Sequence, residues 1–358
     1  MPTLAYRDFL DIALGGTILG TGGGGSYETA LHVADHVLRR KTVRLVSLPD
    51  VPDRARLISV AGMGSPEAML RTPFTIEACF AFDSLRRDTG RSAGYVVPLE
   101  TSGFNFLVPM TVAANRPVAV IDADAAGRAI PRLNQTLFHA RGVRLSPLAL
   151  ADAGGRCIVI RSAEYALAEK AAISALEHFG WSAGLACYGM DGKALKRACV
   201  PGTITLARKV GRAVRLSMSA GDPLEAVLSI AGGWRLIVGT VDRFESETAG
   251  SYKFGLLEID GRAADAGHRV RVKSMNENMI AWKDGRLAAV APDRICFLEP
   301  HGKPITNADI APGQEIAAFV IEAQQNWLTK GAKTLFDETL TAMGYTQGYV
   351  PASRLATS

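Results

Sequence analysis

The chain has 358 residues, which allows two or three domains of about 150 residues each. With 48% hydrophobic and 21% charged residues, its composition is that of a folded protein with a sizeable core and excludes a disordered chain. The formal net charge is only +5, and the basic residues are scattered without interleaved aromatic residues, which argues against a nucleic-acid partner.

The cysteines and the apolar runs predict the compartment. The five cysteines form an odd set with no C-x-x-C pair, as is typical of reduced thiols in a cytosol. The first residues, MPTLAYRDFLDIALGG, lack the basic start and long apolar run of a signal peptide. No apolar stretch reaches the roughly 18 residues that a membrane span needs. We therefore expect a cytoplasmic protein without a membrane partner.

The N-terminal half alternates between helical and extended segments. Apolar residues between Phe9 and Leu14 recur at helical spacing, so we expect a helix before the glycine-rich stretch GTGGGG and a second helix after it. Further along, continuous apolar runs alternate with helical segments, which is typical of a layered α/β domain with a mainly parallel sheet. The strands are predicted at 43–48, 56–62, 94–100, 117–122 and 155–162, and the intervening helices at 76–86 and 106–114.

The second half begins with helices and then becomes rich in short strands. The helices are predicted at 163–179, 203–216 and 223–231. After them, strand-like runs are separated by Gly, Asp and Pro turns, and their regular spacing predicts a small β-barrel or sandwich over about 233–322. We therefore expect an α/β domain over residues 1–165 and a C-terminal part, helices followed by the β-barrel module, over residues 166–358.

The stretch GTGGGG, residues 20–25, is called the glycine loop below. Its spacing satisfies G-x-G-x-x-G, but a dinucleotide fingerprint follows a strand and meets an acid after the next strand, and neither condition is predicted here. We therefore expect no nicotinamide or flavin. Backbone N–H groups of Gly22, Gly23, Gly24 and Gly25 are instead suited to binding an anion or a developing oxyanion. The alternative is a tight turn between two helices.

Polar residues follow three of the predicted strands, where ligands gather in an open α/β sheet. The first strand of the three is followed by Ser65, and the second delivers Glu100 and then Asn105. The third delivers Asp122 and Asp124. Three acidic residues at neighbouring strand ends, close to a glycine nest, are the pattern of a candidate active site.

Each of these residues also has a structural interpretation. Asp122 and Asp124 are suited to binding a divalent cation or activating water, and equally to capping the next helix. Arg128 is suited to holding a substrate carboxylate or carbonyl, and equally to a surface salt bridge. Further along, the polar residues 276–278 interrupt a strand-like run, which predicts either a bulge or a wall of the site.

Several segments together resemble one protein family. They are LGTGGGGSYETA, AGMGSP, LETSGFNFLVPMTVAANRPVAVIDADAAGRAIPRLNQTLF, CVPGTIT and MNENMIAWKDGRLAAVAPDRICFLEP. In this order they resemble the S-methyl thiohydantoin desulfurase-like family, which is associated with hydantoin utilisation. The resemblance implies an N-terminal α/β domain joined to a part with a β-barrel. It also implies attack on a five-membered thiohydantoin or hydantoin-like ring with loss of a sulfur group.

The resemblance also implies a set of site residues. Carried over by motif, they are Gly22, Gly23, Gly24, Gly25, Glu100, Asn105, Asp122, Asp124 and Arg128, and the strand-end position of Ser65 adds a further binding residue. Asp122, Asp124 and Glu100 are the expected catalytic residues, and the others are expected to bind substrate. The identity of any metal is left open; if one is present, Asp122 and Asp124 are its expected ligands.

The leading hypothesis is a hydrolase-type desulfurase that acts on a small-molecule substrate. In it, Asp122 or Asp124 activates water, alone or through a divalent metal, and the glycine loop stabilises the tetrahedral intermediate. Glu100 or Asp124 protonates the departing group. Two alternatives remain: a nucleotide- or phosphate-binding protein, and a non-catalytic partner subunit of a hydantoinase-type enzyme. In each case we expect a homo-oligomer.

Overall fold

The computed structural model describes residues 2–90, 92–219, 221–249, 251–329 and 331–355. The helices of this part of the chain are α1 (Tyr6–Leu19), α2 (Tyr27–His32), α3 (Pro66–Arg71), α4 (Glu77–Thr89), α5 (Gly103–Asn115), α6 (Leu137–Ala140), α7 (Tyr165–His178), α8 (Gly192–Ala198), α9 (Thr203–Ser217), α10 (Pro223–Ala231), α11 (Asp337–Ala342) and α12 (Ala352–Leu355). A π-helical segment, Val33–Leu38, continues α2.

The strands of the same residues form two large sheets and one short ribbon. They are β1 (Thr3–Leu4), β2 (Val43–Val46), β3 (Arg56–Gly64), β4 (Tyr95–Pro98), β5 (Ala119–Ile121), β6 (Ala123–Asp124), β7 (Leu148–Ala151), β8 (Cys157–Ile160), β9 (Ser182–Asp191), β10 (Val200–Pro201), β11 (Trp234–Ala249), β12 (Tyr252–Gly261), β13 (Arg269–Met275), β14 (Glu277–Lys283), β15 (Arg286–Val290), β16 (Arg294–Leu298) and β17 (Glu315–Ile321). The ribbon pairs β6 with β10.

The first large sheet has the strand order β1-β2-β5-β4-β3-β9-β7-β8. Its centre, from β2 to β3, is parallel, and β1 on one side and β9, β7 and β8 on the other are antiparallel. This confirms the predicted layered α/β class with a mainly parallel sheet. The antiparallel flanks were not predicted. No strand was predicted for the segments that form β1, β7 and β9, and the strand predicted at 155–162, which is β8, carried no direction, because an apolar run reveals a buried strand but not its direction.

The second large sheet is antiparallel, with the order β15-β14-β13-β12-β11-β17-β16. It curls into a half-barrel, which confirms the predicted barrel-type module of the C-terminal part. In the described residues the barrel is open, since β15 and β16 are its two edges. Strand β9 lies after residue 165 but joins the first sheet, so that sheet contains strands from both predicted domains. The domain boundary at 165/166 stays a prediction.

Helix α1 leads into the glycine loop and packs closely against α9. It crosses α9 at Gly15 and Gly211, where an added Cβ would lie 1.9 Å from the backbone oxygens of Ala207 and Asp11, respectively. Only glycine allows the two backbones to approach so closely. The ion pair between Asp11 and Arg215 at 2.7 Å closes the same contact. The glycine loop therefore starts from a fixed point.

None of the helices in the described ranges is long and apolar enough to cross a membrane.

Candidate functional site

A cavity of about 520 Å³ lies against the glycine loop and draws its walls from both halves of the chain. The N-terminal half contributes the glycine loop, the ends of β3 and β4 and the start of α5, while α7 adds a further wall. The half-barrel contributes the hairpin between β11 and β12 and the start of β14. Its size and mixed lining are those of a small-molecule site.

The glycine loop adopts a backbone conformation that requires glycine. Gly22, Gly24 and Gly25 have φ angles of 82°, 78° and 93°, in the left-handed region that disfavours side chains. Gly23 is limited by space instead, because a Cβ there would lie 2.1 Å from Oε1 of Glu277. A Cβ on Gly24 would lie 2.3 Å from Cβ of Ser102. The predicted bare backbone is thus packed directly against the side chains of Glu277 and Ser102.

Both halves of the molecule hold the glycine loop in place. From the C-terminal half, the backbone N–H of Asn307 donates to the Gly22 carbonyl at 2.8 Å, and that of Asn278 donates to the Thr21 carbonyl at 2.8 Å. From the N-terminal half, the Ser102 hydroxyl donates to the Gly24 carbonyl at 2.8 Å. These bonds engage the carbonyl groups of the loop.

Glu100 is buried at the cavity wall and is fixed by two donors. Its Oε1 accepts from Nδ2 of Asn105 at 2.5 Å, and its Oε2 accepts from the Ile130 backbone N–H at 2.8 Å. Burial raises the pKa of Glu100 to about 7, while these donors and the charge of Arg128 act in the opposite direction. A carboxyl with a pKa near neutrality, oriented at a cavity, is suited to proton transfer.

Glu277 is the second buried carboxyl of the cavity, and its side chain lies against Gly23. Only 4% of it is exposed, and its Oε2 has no hydrogen-bond partner among the described residues. Burial raises its pKa well above the usual range, and the charge of Glu100 raises it further. Glu100 and Glu277, called the carboxyl pair below, therefore titrate together from two sides of the glycine loop.

Glu277 was absent from the predicted catalytic residues. The available signal was the polar interruption at 276–278, for which a wall of the site was one of two interpretations. The structure has a turn there, because Asn276 has a φ of 56° and Glu277 begins β14. The sequence showed that polar residues interrupt a strand, but it did not show that Glu277 lies against the glycine loop.

Asn105 and Ser65 line the cavity, and their substrate-binding role stays a prediction. Asn105 already has two protein partners, since its Oδ1 accepts from the Gly62 N–H at 2.8 Å and its Nδ2 donates to Glu100. It therefore joins the end of β3 to the carboxyl pair. The Ser65 hydroxyl caps α3 by accepting from the Ala68 N–H at 3.0 Å. Both side chains thus help to shape the cavity.

Asp122 is not among the described residues that line the cavity. Its carboxylate accepts from the Thr205 backbone N–H at 3.0 Å and from the Thr205 hydroxyl at 2.5 Å. Thr205 lies in the first turn of α9, so Asp122 satisfies a donor at a helix N-terminus. Asp122 therefore has a capping role, but at the start of α9 and not of the next helix in the chain, α6, whose N-cap is Thr136. The structure does not bring Asp122 to the carboxyl pair.

Asp124 is also missing from the described cavity lining and is completely buried. Its Oδ1 accepts from the backbone N–H groups of Ala126 and Gly127 at 2.7 and 2.5 Å. Its Oδ2 accepts from the Thr101 hydroxyl at 2.5 Å. Asp124 thereby shapes the turn that leads to Arg128. It also ties this turn to Thr101, the residue that follows Glu100. Its contacts are those of a residue that positions the cavity wall without lining the cavity itself.

Arg128 binds protein rather than lining the cavity. Its guanidinium donates to the backbone carbonyls of Asp293 at 3.0 Å and Asn278 at 2.8 Å, and it lies 5.1 Å from the ring centroid of Phe336. The side chain is completely buried, and burial lowers its pKa to about 10. Arg128 therefore extends from the α/β half into the half-barrel and holds the residue next to Glu277.

Metal binding by Asp122 and Asp124 lacks a cluster to support it in the described ranges. Nowhere in them do three or more His, Cys, Asp or Glu side chains come together in a way that could hold a metal ion. The oxygens of Asp124 are directed at backbone and hydroxyl donors. The oxygens of Asp122 are likewise engaged by Thr205.

The fold and the site define a class of protein: a two-part α/β and half-barrel chain with a buried carboxyl pair beside a glycine loop. The family comparison then identifies the family. The model of the S-Me-THD-like N-terminal domain matches residues 7–162, and that of the C-terminal domain matches residues 162–352. The chain belongs to this S-methyl thiohydantoin desulfurase-like family, which confirms the resemblance seen in the sequence.

A solved structure shares the fold of this chain. The chain is similar to the crystal structure of a protein from Chromobacterium violaceum, with a TM-score of 0.85 and 26% sequence identity. The match covers 98% of this chain and 100% of the other, so the two share both the α/β half and the half-barrel. Among curated proteins, none matches this chain.

Proposed function

We propose that the protein is a hydrolytic desulfurase that converts an S-alkyl thiohydantoin and water into a hydantoin and a thiol. The observation that carries this proposal is the carboxyl pair, Glu100 and Glu277, which faces one cavity from two sides of the glycine loop. The family points to thiohydantoin chemistry. Hydrolysis of such a ring requires a base and an acid, and the carboxyl pair supports the proposal by offering one group for each role.

The surroundings of the two carboxyls assign their roles. Glu100 accepts hydrogen bonds at both oxygens, which favours its ionised form, so it is the general base. Glu277 has one buried oxygen without a partner among the described residues, and burial and the charge of Glu100 raise its pKa well above the usual range, so we assign it the role of general acid. Two carboxyls whose environments separate their pKa values are typical of acid–base catalysis.

In the first step, Glu100 removes a proton from water, and the water oxygen forms a bond to the ring carbon that carries sulfur. The electron pair of the carbon–nitrogen double bond moves to the ring nitrogen, which takes the proton of Glu277. The product of this step is a neutral tetrahedral carbon bearing a hydroxyl and the sulfur group. Glu100 is now protonated and Glu277 is ionised.

In the second step, the ionised Glu277 removes the hydroxyl proton and the carbonyl forms. The carbon–sulfur bond breaks, the electron pair leaves with sulfur, and the thiolate takes the proton of Glu100. Both carboxyls return to their starting states, so the cycle balances without a further reactant. Thiolates leave readily, and positioning therefore contributes more than acid strength.

The glycine loop and Asn105 support both steps. Gly24 and Gly25 line the cavity, and their bare backbone lets a ring approach closely. The Gly24 N–H donates to Glu277 and so holds the carboxyl at the cavity. Asn105 holds Glu100 and thereby fixes the direction from which water attacks. In this account Asp122, Asp124 and Arg128 support the site through the protein and do not contact substrate.

The alternatives find less support in the geometry. The glycine loop follows helix α1 and not a strand, which differs from the arrangement of dinucleotide-binding folds. A non-catalytic partner subunit has no need of a carboxyl pair with raised pKa values facing a cavity.

The test is methanethiol release from S-methyl thiohydantoin, followed with a thiol reagent across pH. Activity requires Glu100 ionised and Glu277 protonated. The value of kcat/KM should therefore rise as pH increases through the pKa of Glu100, about 7, and fall as Glu277 ionises at higher pH. Absence of methanethiol at every pH would rule out the desulfurase and favour the partner-subunit alternative.

A further inference from the structure

The cavity continues beyond the carboxyl pair along a wall of apolar side chains. It is formed by Met63 at the end of β3, Ile173 and Leu176 on α7, and Trp181 in the turn before β9. At about 520 Å³, the cavity is much larger than an unsubstituted five-membered ring requires. The extra volume therefore calls for a second part of the substrate.

Trp181 is held in this wall by an unusual backbone. Its φ angle is 63°, directly after Gly180 with a φ of 64°. A bulky aromatic residue in the left-handed region is an outlier that persists only where its surroundings enforce it. Here the Trp181 N–H donates to the Leu176 carbonyl at 2.8 Å, and its own carbonyl accepts from the Ser65 N–H at 2.9 Å.

The same contacts leave the Trp181 side chain available to a ligand. The Trp181 residue lines the cavity and is 37% exposed. Its backbone is fixed at the same time by the two hydrogen bonds to Leu176 and Ser65. A single exposed tryptophan on a protein surface needs no explanation. A tryptophan fixed in a strained conformation, facing a cavity beside Ile173, presents a rigid apolar surface at low entropic cost.

The charge near this wall favours a neutral group. Arg132, which lines the same cavity, already pairs with Glu338 at 2.7 Å and lies 4.0 Å from Glu169. Two protein carboxylates thus lie near its charge, although its Nε has no hydrogen-bond partner among the described residues. An apolar substituent would bury surface against Met63, Ile173 and Trp181 without disturbing these ion pairs.

We propose that Met63, Ile173, Leu176 and Trp181 form a subsite for a branched aliphatic or aryl substituent on the ring. This inference rests on the proposed function, since it names the class of thiohydantoin that the carboxyl pair would process. The ring lies at the glycine loop, and its substituent lies between α7 and the turn that carries Trp181.

The test is calorimetric binding of three hydantoins that carry hydrogen, isobutyl or benzyl at ring position 5. These are product-type rings, so binding is measured without turnover. Burial of the substituent predicts that the isobutyl and benzyl compounds bind at least about tenfold more tightly than the unsubstituted ring. Ile173→Ala and Trp181→Ala should reduce this preference several-fold, whereas Trp181→Phe should largely preserve it.

The matched control is Leu167→Ala, which shortens an exposed apolar residue on the same helix outside the cavity lining and should leave the preference unchanged. Equal affinity for the three rings, no binding by any of them, or an equal effect of Leu167→Ala and Ile173→Ala would overturn the subsite. Thiol release that is independent of the substituent contradicts the subsite alone. Substituent-dependent binding without thiol release contradicts the hydrolase alone.

Discussion

Asp122 and Asp124 lie two positions apart in the chain, whereas Glu100 and Glu277 come from its two halves. The first pair is engaged by hydroxyl and backbone donors: Asp124 in its own turn and at Thr101, and Asp122 at the start of α9. The second pair lines one cavity across the glycine loop. Closeness in sequence thus accompanies a structural role here, and closeness in space accompanies the chemistry.

The difference has an energetic basis. Asp124 belongs to a turn whose own backbone N–H groups need acceptors, and its carboxylate satisfies them locally. Asp122 accepts instead from Thr205 in the first turn of α9, where a helix N-terminus also needs an acceptor. Glu277 carries an unpartnered buried oxygen, and such an arrangement costs stability unless function requires it. A buried carboxyl oxygen without a partner at a cavity is therefore a stronger indication of a site than two acidic residues close together in the sequence.

The largest effect that would test this comparison is expected from Glu100→Gln. Removal of the general base should lower kcat/KM for thiol release by about a thousandfold, since acid–base catalysis is typically worth 10²–10⁴. The double variant with Glu277→Gln should be little worse than the single one, because the two carboxyls act as a unit. Steady-state kinetics check this. Glu67→Gln, an exposed carboxyl of the same cavity, serves as the control and should retain activity within about twofold.

A smaller effect is expected from Gly23→Ala. The added Cβ would meet Oε1 of Glu277 at 2.1 Å and displace the acid, and a misplacement of about 1 Å can cost about a hundredfold in rate. The control is Gly94→Ala, where the added Cβ has nothing within 4 Å. Kinetics and thermal unfolding should be measured together. Unchanged kcat/KM in Gly23→Ala would contradict the proposed contact between loop and acid.

Arg128→Met is expected to act mainly on stability and on the pH profile. It leaves two buried carbonyls without their donor, and an unsatisfied buried acceptor costs about 1–3 kcal/mol. Because the charge of Arg128 lowers the pKa of Glu100, its removal should move the acidic limb of the profile above its wild-type position near pH 7. Urea unfolding and kcat/KM against pH check both. An unmoved limb in a folded variant would contradict the electrostatic role, and the exposed Arg144→Met should change neither quantity.

The smallest effect is expected from Asp122→Asn. Asparagine keeps an acceptor for the Thr205 N–H, and its amide can donate to the Thr205 hydroxyl, so the end of α9 stays satisfied. We expect a loss of at most about 1 kcal/mol in the free energy of unfolding, as for other helix N-terminal contacts. Thermal unfolding measures it. A loss of several kcal/mol in the free energy of unfolding would contradict a role limited to the N-terminus of α9.

The sequence predicted the fold well where a pattern is local. The helix before the glycine loop, the parallel strands and the strand-rich module all appear, because helical spacing and apolar runs are properties of single elements. The antiparallel joining of β9 to β3 was beyond reach, since pairing depends on distant contacts. The glycine loop, Glu100 and Asn105 were placed at the site for the same local reason. Glu277 was not, because no sequence pattern reports which half-barrel turn reaches the loop.

The most direct test of the central claim is the rate of methanethiol release from S-methyl thiohydantoin by Glu277→Gln and Asp122→Asn, measured at the same pH against the wild-type protein. The account predicts that Glu277→Gln loses about a thousandfold, within the range of acid–base catalysis, while Asp122→Asn stays close to wild type. The opposite result, a folded Asp122→Asn without activity and an active Glu277→Gln, would contradict the carboxyl pair and return the chemistry to the aspartates.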